Sequence, residues 1–550
     1  MPTYRELFPQ YGAIGEKAII NILKNLYLRD CLLILSKLSR HYYKYIQTGF
    51  NIKDADKKYN CYCLDLIDDK TKKVIFKNHY DVIFPELSIL HLIKLALKYC
   101  DDSSYTETEE FSKDVLYKVG KCLLITNSVM GDWQTKGSKK GDGPSKEIMV
   151  NFTKQLIADK NFDITQKLYQ TFFLYCKYLK EYKEKFDIEK YFQDKYGVSS
   201  LEYNAFLFLT YATFLIKNNE TEDWETPHFN IKVALQNLKQ KYKYKLLENL
   251  ILQKSEYKKI DKNFFNVTRF TQKPFIELGG GNVIPISLRR LFLGITDGVY
   301  FDLLDSIPDQ SKKNDFSHYF GQAIEDYFVD VMKNINKNVV LEFEYTSNRN
   351  RKDTPDAILA EQDGLVFLEC KKRQFHTLEF LHNGNKEMYY ERLTNFCYKP
   401  LKQLCDRIKD FRNKEFTIKN ESNHNKLIYP IIIYPISPPF FSGGWDMFDL
   451  NQYVLNDYFK EDTNVALPEF MDFSELECIE VYLKKNPQVS FVDLIKAKRS
   501  YKEYHNSNWL VFLYNNNMAF QNKRLIKEHF DYTKQFKDLL FNKNKKTTHF

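Results

Sequence analysis

Pro355-Asp356-Ala357-Ile358-Leu359-Ala360-Glu361-Gln362-Asp363-Gly364-Leu365-Val366-Phe367-Leu368-Glu369-Cys370-Lys371 decides how the second half of this chain folds. Two apolar runs flank Asp363-Gly364, a hairpin turn signal. Asp356 opens the first run, and Glu369 and Lys371 close the second. Side chains alternate along a strand with period two, so Glu369 and Lys371 share a face. Charges at the end of an apolar strand are costly to desolvate unless something compensates them. A divalent cation and a phosphate would do so. The plain alternative is a strand-end salt bridge between Glu369 and Lys371.

The flanking pattern predicts a helix over Phe316–Lys333, a strand over Val339–Tyr345, strands over Asp356–Ala360 and Leu365–Lys371, a helix over Tyr390–Arg412 and a strand over Leu427–Tyr434. The last is β-branched and apolar, and Pro430 demotes its start to an edge or a bulge. The first helix carries Glu325 within Phe320-Gly321-Gln322-Ala323-Ile324-Glu325-Asp326-Tyr327, and the second carries Lys402-Gln403-Leu404.

These residues resemble the PD-(D/E)xK nuclease superfamily, the restriction-endonuclease-like fold, over residues 315–440. Pro355-Asp356 and Glu369-Cys370-Lys371 match its motif. Glu325 matches the glutamate that members often carry on the helix before the first core strand. Gln403 matches the glutamine that many place on a later helix facing the site. The resemblance implies an α+β or α/β fold class with an α-β-β-β-α-β core. It implies catalytic roles for Asp356, Glu369, Lys371, Glu325 and Gln403, with Mg²⁺ or Mn²⁺ as cofactor. Asp356, Glu369 and Glu325 would be its ligands, hard oxygen donors of the kind Mg²⁺ prefers. Lys371 would face the charge developing on a phosphate or hold the attacking water, and Gln403 would steady it. Lys372 and Arg373 follow the motif and are read either as phosphate contacts or as solvated cations.

The chain has 550 residues, enough for about three domains or more. Boundaries fall at 1–145 (helical, with a small hairpin), 146–270 (a helical accessory unit), 271–314 (a hairpin and connecting helix), 315–440 (the core above) and 441–550 (an extension with a basic helix). Lysine and arginine number 81 against 72 acidic residues, a net charge of +9. That balance permits nucleic-acid binding without demanding it. Lys523, Arg524, Lys527, Lys534, Lys537, Lys543, Lys545 and Lys546 outweigh Glu528, Asp531 and Asp538 at the end of the chain. Ten cysteines lack zinc-site spacing, and reduced thiols are expected. Cys61 and Cys63 have strand spacing that aims both thiols at one face. No signal peptide, membrane span, P-loop, dinucleotide fingerprint or nucleophile elbow appears, so a soluble cytoplasmic protein is expected. His376 and His382 carry no metal-ligand spacing.

Helices are expected over residues 5–47, Pro85–Tyr99 and almost throughout Lys146–Asn263, including a buried one at Ala205–Ile216. A short hairpin is expected at Tyr59–Ile67 and Val74–Phe76, turning at Asp68-Asp69-Lys70. Gly131–Ser145 reads as a loop or linker. Gly279-Gly280-Gly281-Asn282 turns a second hairpin, followed by a helix over Leu288–Leu304. Gly443-Gly444-Trp445 lies in a loop, and a capping pattern opens a helix at Phe473.

The expected function is metal-dependent hydrolysis of nucleic acid, DNA favoured, in bacterial defence by analogy with large nucleases bearing long accessory halves. Nucleic acid is the expected partner. A protein partner or activator at the helical half and a homo-oligomer are further expectations, and no membrane is expected. The rival is a catalytically silent nuclease-fold module that binds nucleic acid or scaffolds a complex. A third option is an enzyme held off until a partner relieves the helical half.

Overall fold

The computed structural model describes residues 2–9, 14–47, 52–78, 82–102, 111–135, 164–216, 229–230, 245–279, 282–372, 386–435, 462–501 and 509–534, apart from 262, 265, 348, 420 and 463. It is a mixed α+β protein, mostly helical with small sheets, and among the described residues it forms no barrel.

The first half is built on helices, and packing overrides local strand pattern there. Residues 59–76 are not a hairpin. They lie on helices Ile52–Asp65 and Asp69–Asn78. Tyr59, Cys63, Leu66 and Ile75 are buried together in one apolar core. The Asp68 carboxylate accepts from the backbone N–H groups of Lys70 and Thr71 at 3.1 and 3.0 Å, so the supposed turn is a helix cap. On this helix Cys61 is exposed while Cys63 is buried, so the two thiols do not share a face. The Lys113–Thr135 helix runs into the segment read as a loop. Positions 136–145, 373, 376, 382, 443–445 and 535–550 lie outside the described residues.

The helix Glu86–Tyr99 is buried almost all round, which suits its near-unbroken apolar sequence. Its Glu86 has no exposed surface and accepts from Ser287 Oγ at 2.5 Å, Arg289 at 3.3 Å and Arg290 at 3.4 Å. This ion cluster ties the helical half to the start of the Leu288–Ile295 helix. The stretch expected as one helix over Leu288–Leu304 is two, because the backbone breaks at Thr296 between Leu288–Ile295 and Asp297–Ser306.

Strands interrupt the region expected to be helical to Asn263. β1 (Phe229–Asn230), β2 (Ile251–Leu252), β3 (Phe275–Gly279) and β4 (Asn282–Pro285) form one sheet, in the order β1-β4-β3-β2. The expected β3–β4 hairpin is present.

The second sheet positions the site. Its strands are β5 (Val340–Leu341), β8 (Ala357–Glu361), β9 (Gly364–Cys370), β10 (Ile428–Tyr434) and β11 (Glu469–Asp472), in the order β11-β10-β9-β8-β5. A separate ribbon, β6 (Glu344–Ser347) with β7 (Asn350–Asp353), is inserted between β5 and β8. The strand expected over Val339–Tyr345 is therefore two pieces, parted at Glu342-Phe343. β8 and β9 are antiparallel, whereas β9, β10 and β11 run parallel.

Period two divides the sheet between two cores. Ala357, Leu359, Val366, Leu368, Ile431 and Ile433 pack on the side of the long helix Gln310–Ile335. Ile358, Leu365, Phe367, Ile428 and Ile432 pack on the side of helix Lys399–Arg412. Covering both faces explains why these strands read as continuous apolar runs. Each Val, Leu, Ile or Phe among them contributes roughly 1.5–3 kcal/mol relative to exposure.

The β8–β9 turn is Gln362-Asp363, since Glu361 pairs with Gly364. Gly364 starts the strand. A Cβ there would come 2.8 Å from the Tyr429 ring and 3.1 Å from Leu427 O, so close packing rather than turn geometry demands glycine. Pro430 is not in an edge strand: β10 is paired on both sides. Ile428 directs both its N–H and its C=O to the β11 side, so by alternation the missing N–H of Pro430 faces there too. The gap falls between the bridge Ile428–Val465 and the start of β11 at Glu469.

Residues 441–550 supply β11 and the helices that follow it. Asp472 and Glu475 form a reciprocal capping box on helix Phe473–Lys485, as the sequence pattern implies. Arg524 of the basic terminal segment is committed to Glu480, which is 1% exposed, at 2.9 Å.

Candidate metal centre

Asp356 precedes β8, and Glu369 sits one residue before the end of the neighbouring β9, so the antiparallel pairing brings them together. Asp356 Oδ2 accepts a hydrogen bond from the Cys370 N–H at 2.5 Å. Burial drives the Asp356 carboxyl well above its usual pKa, the nearby charge of Glu369 adds to this, and the Cys370 N–H opposes it. An acid so placed favours the arrival of a cation.

The end of β9 forks across the sheet. Lys371 follows the face of helix Lys399–Arg412, donating to Glu369 at 2.8 Å and to Gln403 Oε1 at 3.2 Å. Lys372 takes the opposite face and pairs with Glu325 of the long helix. The structure thus brings Asp356, Glu369, Lys371, Glu325 and Gln403 to one end of the sheet.

Glu342 joins this group although the sequence motif does not include it. It lies where the expected strand breaks, and its N–H bonds to the Asp356 carbonyl at 3.2 Å. Oxygens of Glu325, Glu342 and Asp356 lie within 4.8 Å of one another. Burial raises the pKa of Glu342, and the charges of Glu325 and Asp353 raise it further. The sequence signal was an acid directly after the apolar Val339-Val340-Leu341. Glu369, expected among the ligands, stands in the ion pair with Lys371.

An all-oxygen donor set of this kind suits a hard divalent cation. Glu325, Glu342, Asp353, Asp356 and Glu369 gather here with Lys371 and Lys372, and after burial the charges of neighbouring acids raise the pKa of both Glu342 and Asp356. Among the described residues no helix is long and apolar enough to cross a membrane.

The fold and this acid–lysine cluster define a mixed α+β protein with a candidate cation site at a sheet end. No protein-family model, curated protein or solved structure matches the chain.

Proposed function

We propose that this chain is a metal-dependent endonuclease with a restriction-endonuclease-like core, acting on DNA. The observation that carries the reading is the meeting of Asp356, Glu342 and Glu325 beside Lys371 at the end of one sheet. Glu325, Glu342 and Asp356 would hold Mg²⁺ or Mn²⁺, with Glu369 alongside. Bound there, the ion would polarise a phosphate oxygen and make water more acidic. Lys371 holds its charge at the strand end against the phosphate, where negative charge develops. Glu369 and Gln403 fix the direction of that ammonium. A role in defence against phage or plasmid DNA rests on analogy with large nucleases that carry long accessory halves.

The test is purified full-length protein with Mg²⁺ or Mn²⁺ on single- and double-stranded DNA and RNA. Cutting is expected, and Asp356→Ala and Lys371→Ala should abolish it with melting temperature retained. Variants that cut as well as the wild type would refute the reading.

One observation favours a catalytically silent module instead. Glu369 is closed on Lys371 at 2.8 Å and Glu325 on Lys372, so two carboxylates already have counter-ions. Calorimetric titration separates the two readings, because a silent scaffold takes up no divalent cation.

A further inference from the structure

Gly321 and Glu325 are one turn apart on the long helix Gln310–Ile335, on the face that meets the end of β9. A Cβ added at Gly321 would lie 3.3 Å from Lys372 Cβ and 3.5 Å from its Cδ. The lysine's stem therefore lies across bare helix backbone, and its ammonium reaches Glu325. Glycine inside a helix costs about 1 kcal/mol relative to alanine, and this passage accounts for its presence.

We propose that Lys372 is a tethered counter-ion for Glu325 that an entering divalent cation must displace, so that this lysine sets the affinity of the site for metal. The inference rests on the metal-dependent reading above. Its basis is competition for one carboxylate. Glu325 is shared between the Lys372 ammonium and the cluster with Glu342 and Asp356. Two cations drawn to one carboxylate repel each other, and the half-buried setting weakens the screening of that repulsion. Lys371 is bonded to Glu369 and Gln403 rather than to Glu325, so it does not contend for that carboxylate. Lys372 acts through Glu325 and is a positioning residue.

The experiment is Mn²⁺ binding to the full-length protein, read by electron paramagnetic resonance and calorimetry at fixed pH and salt. K372M keeps the stem and removes the charge, and is expected to bind Mn²⁺ roughly three- to tenfold more tightly. K372R is expected to restore the wild-type Kd. G321A crowds the stem without altering a charge and should shift Kd in the same direction by a smaller factor. Unchanged or weaker binding in both K372M and G321A overturns the proposal and leaves the nuclease reading standing. A wild-type protein that takes up no Mn²⁺ overturns the metal-dependent reading itself and this inference with it.

Discussion

Asp356 Oδ2 and the backbone N–H of Cys370 are 2.5 Å apart, a hydrogen bond that pins the start of β8 to the end of β9. The carboxylate is 9% exposed and lies against the charge of Glu369. A cation bound beside it would relieve both the burial and the repulsion.

Asp356→Asn keeps the hydrogen-bond acceptor and removes the charge. Metal-assisted cleavage should fall by about 100-fold or more, since the ion supplies several kcal/mol of stabilisation. Burial disfavours the charged form of Asp356, so a neutral amide is no worse placed there and melting temperature should hold or rise. Calorimetric melting beside a cleavage assay checks both halves. Lost activity accompanied by a lower melting temperature would count against this account.

Gln403→Ala should lower cleavage by roughly 10- to 100-fold, as expected when a residue that orients a catalytic group is lost. Gln403 is exposed and contributes little to packing, so melting temperature should not change. The fall should appear in kcat rather than KM. Wild-type kcat would show that Lys371 needs no such support.

Glu477 tests the electrostatics away from the site. It accepts from Gln170 at 3.0 Å and from the Tyr327 hydroxyl, and burial pushes its pKa up to about 8. A carboxyl raised above its unfolded value binds its proton more tightly when folded. The stability this gives is complete below about pH 4.5 and is lost as pH rises through about 8. Glu477→Gln should flatten that slope and gain on the order of a few kcal/mol over wild type above pH 8. Denaturant melts across pH 5–9 measure it. Parallel curves for the two proteins would reject the assignment.

Glu86→Ala should cost about 3–5 kcal/mol, because it leaves Arg289 and Arg290 buried beside an empty place. Urea unfolding of the full chain reads the loss directly. An effect within about 0.5 kcal/mol, typical of an exposed substitution, would mean that water reaches the cluster.

Gly364→Ala should destabilise by about 1–3 kcal/mol, the usual penalty for overpacking. Its new methyl would meet the Tyr429 ring at 2.8 Å. The shift in denaturation midpoint is the readout, and an unchanged midpoint would show that the ring moves freely aside.

Local pattern was enough for the centre of the second sheet. Apolar runs bounded by turn residues specify β8, β9 and β10, and the two-residue repeat alone puts Glu369 beside Lys371. The capping box at Asp472 and Glu475 was equally legible, because backbone geometry within one turn dictates it. Tertiary structure decided the rest. Residues 59–76 follow a weak strand pattern, yet they are helical because Tyr59, Cys63, Leu66 and Ile75 complete a core that draws side chains from as far apart as Tyr4 and Ile286. Pro430 occupies an internal strand because the neighbouring strand is interrupted where its N–H is missing. Glu342 joins Asp356 through the pairing of β5 with β8, and Lys371 and Lys372 part to opposite faces where β9 meets two distant helices. Periodicity follows from the geometry of adjacent residues. Which face meets which helix depends on contacts between residues far apart in sequence, and local order carries no record of those.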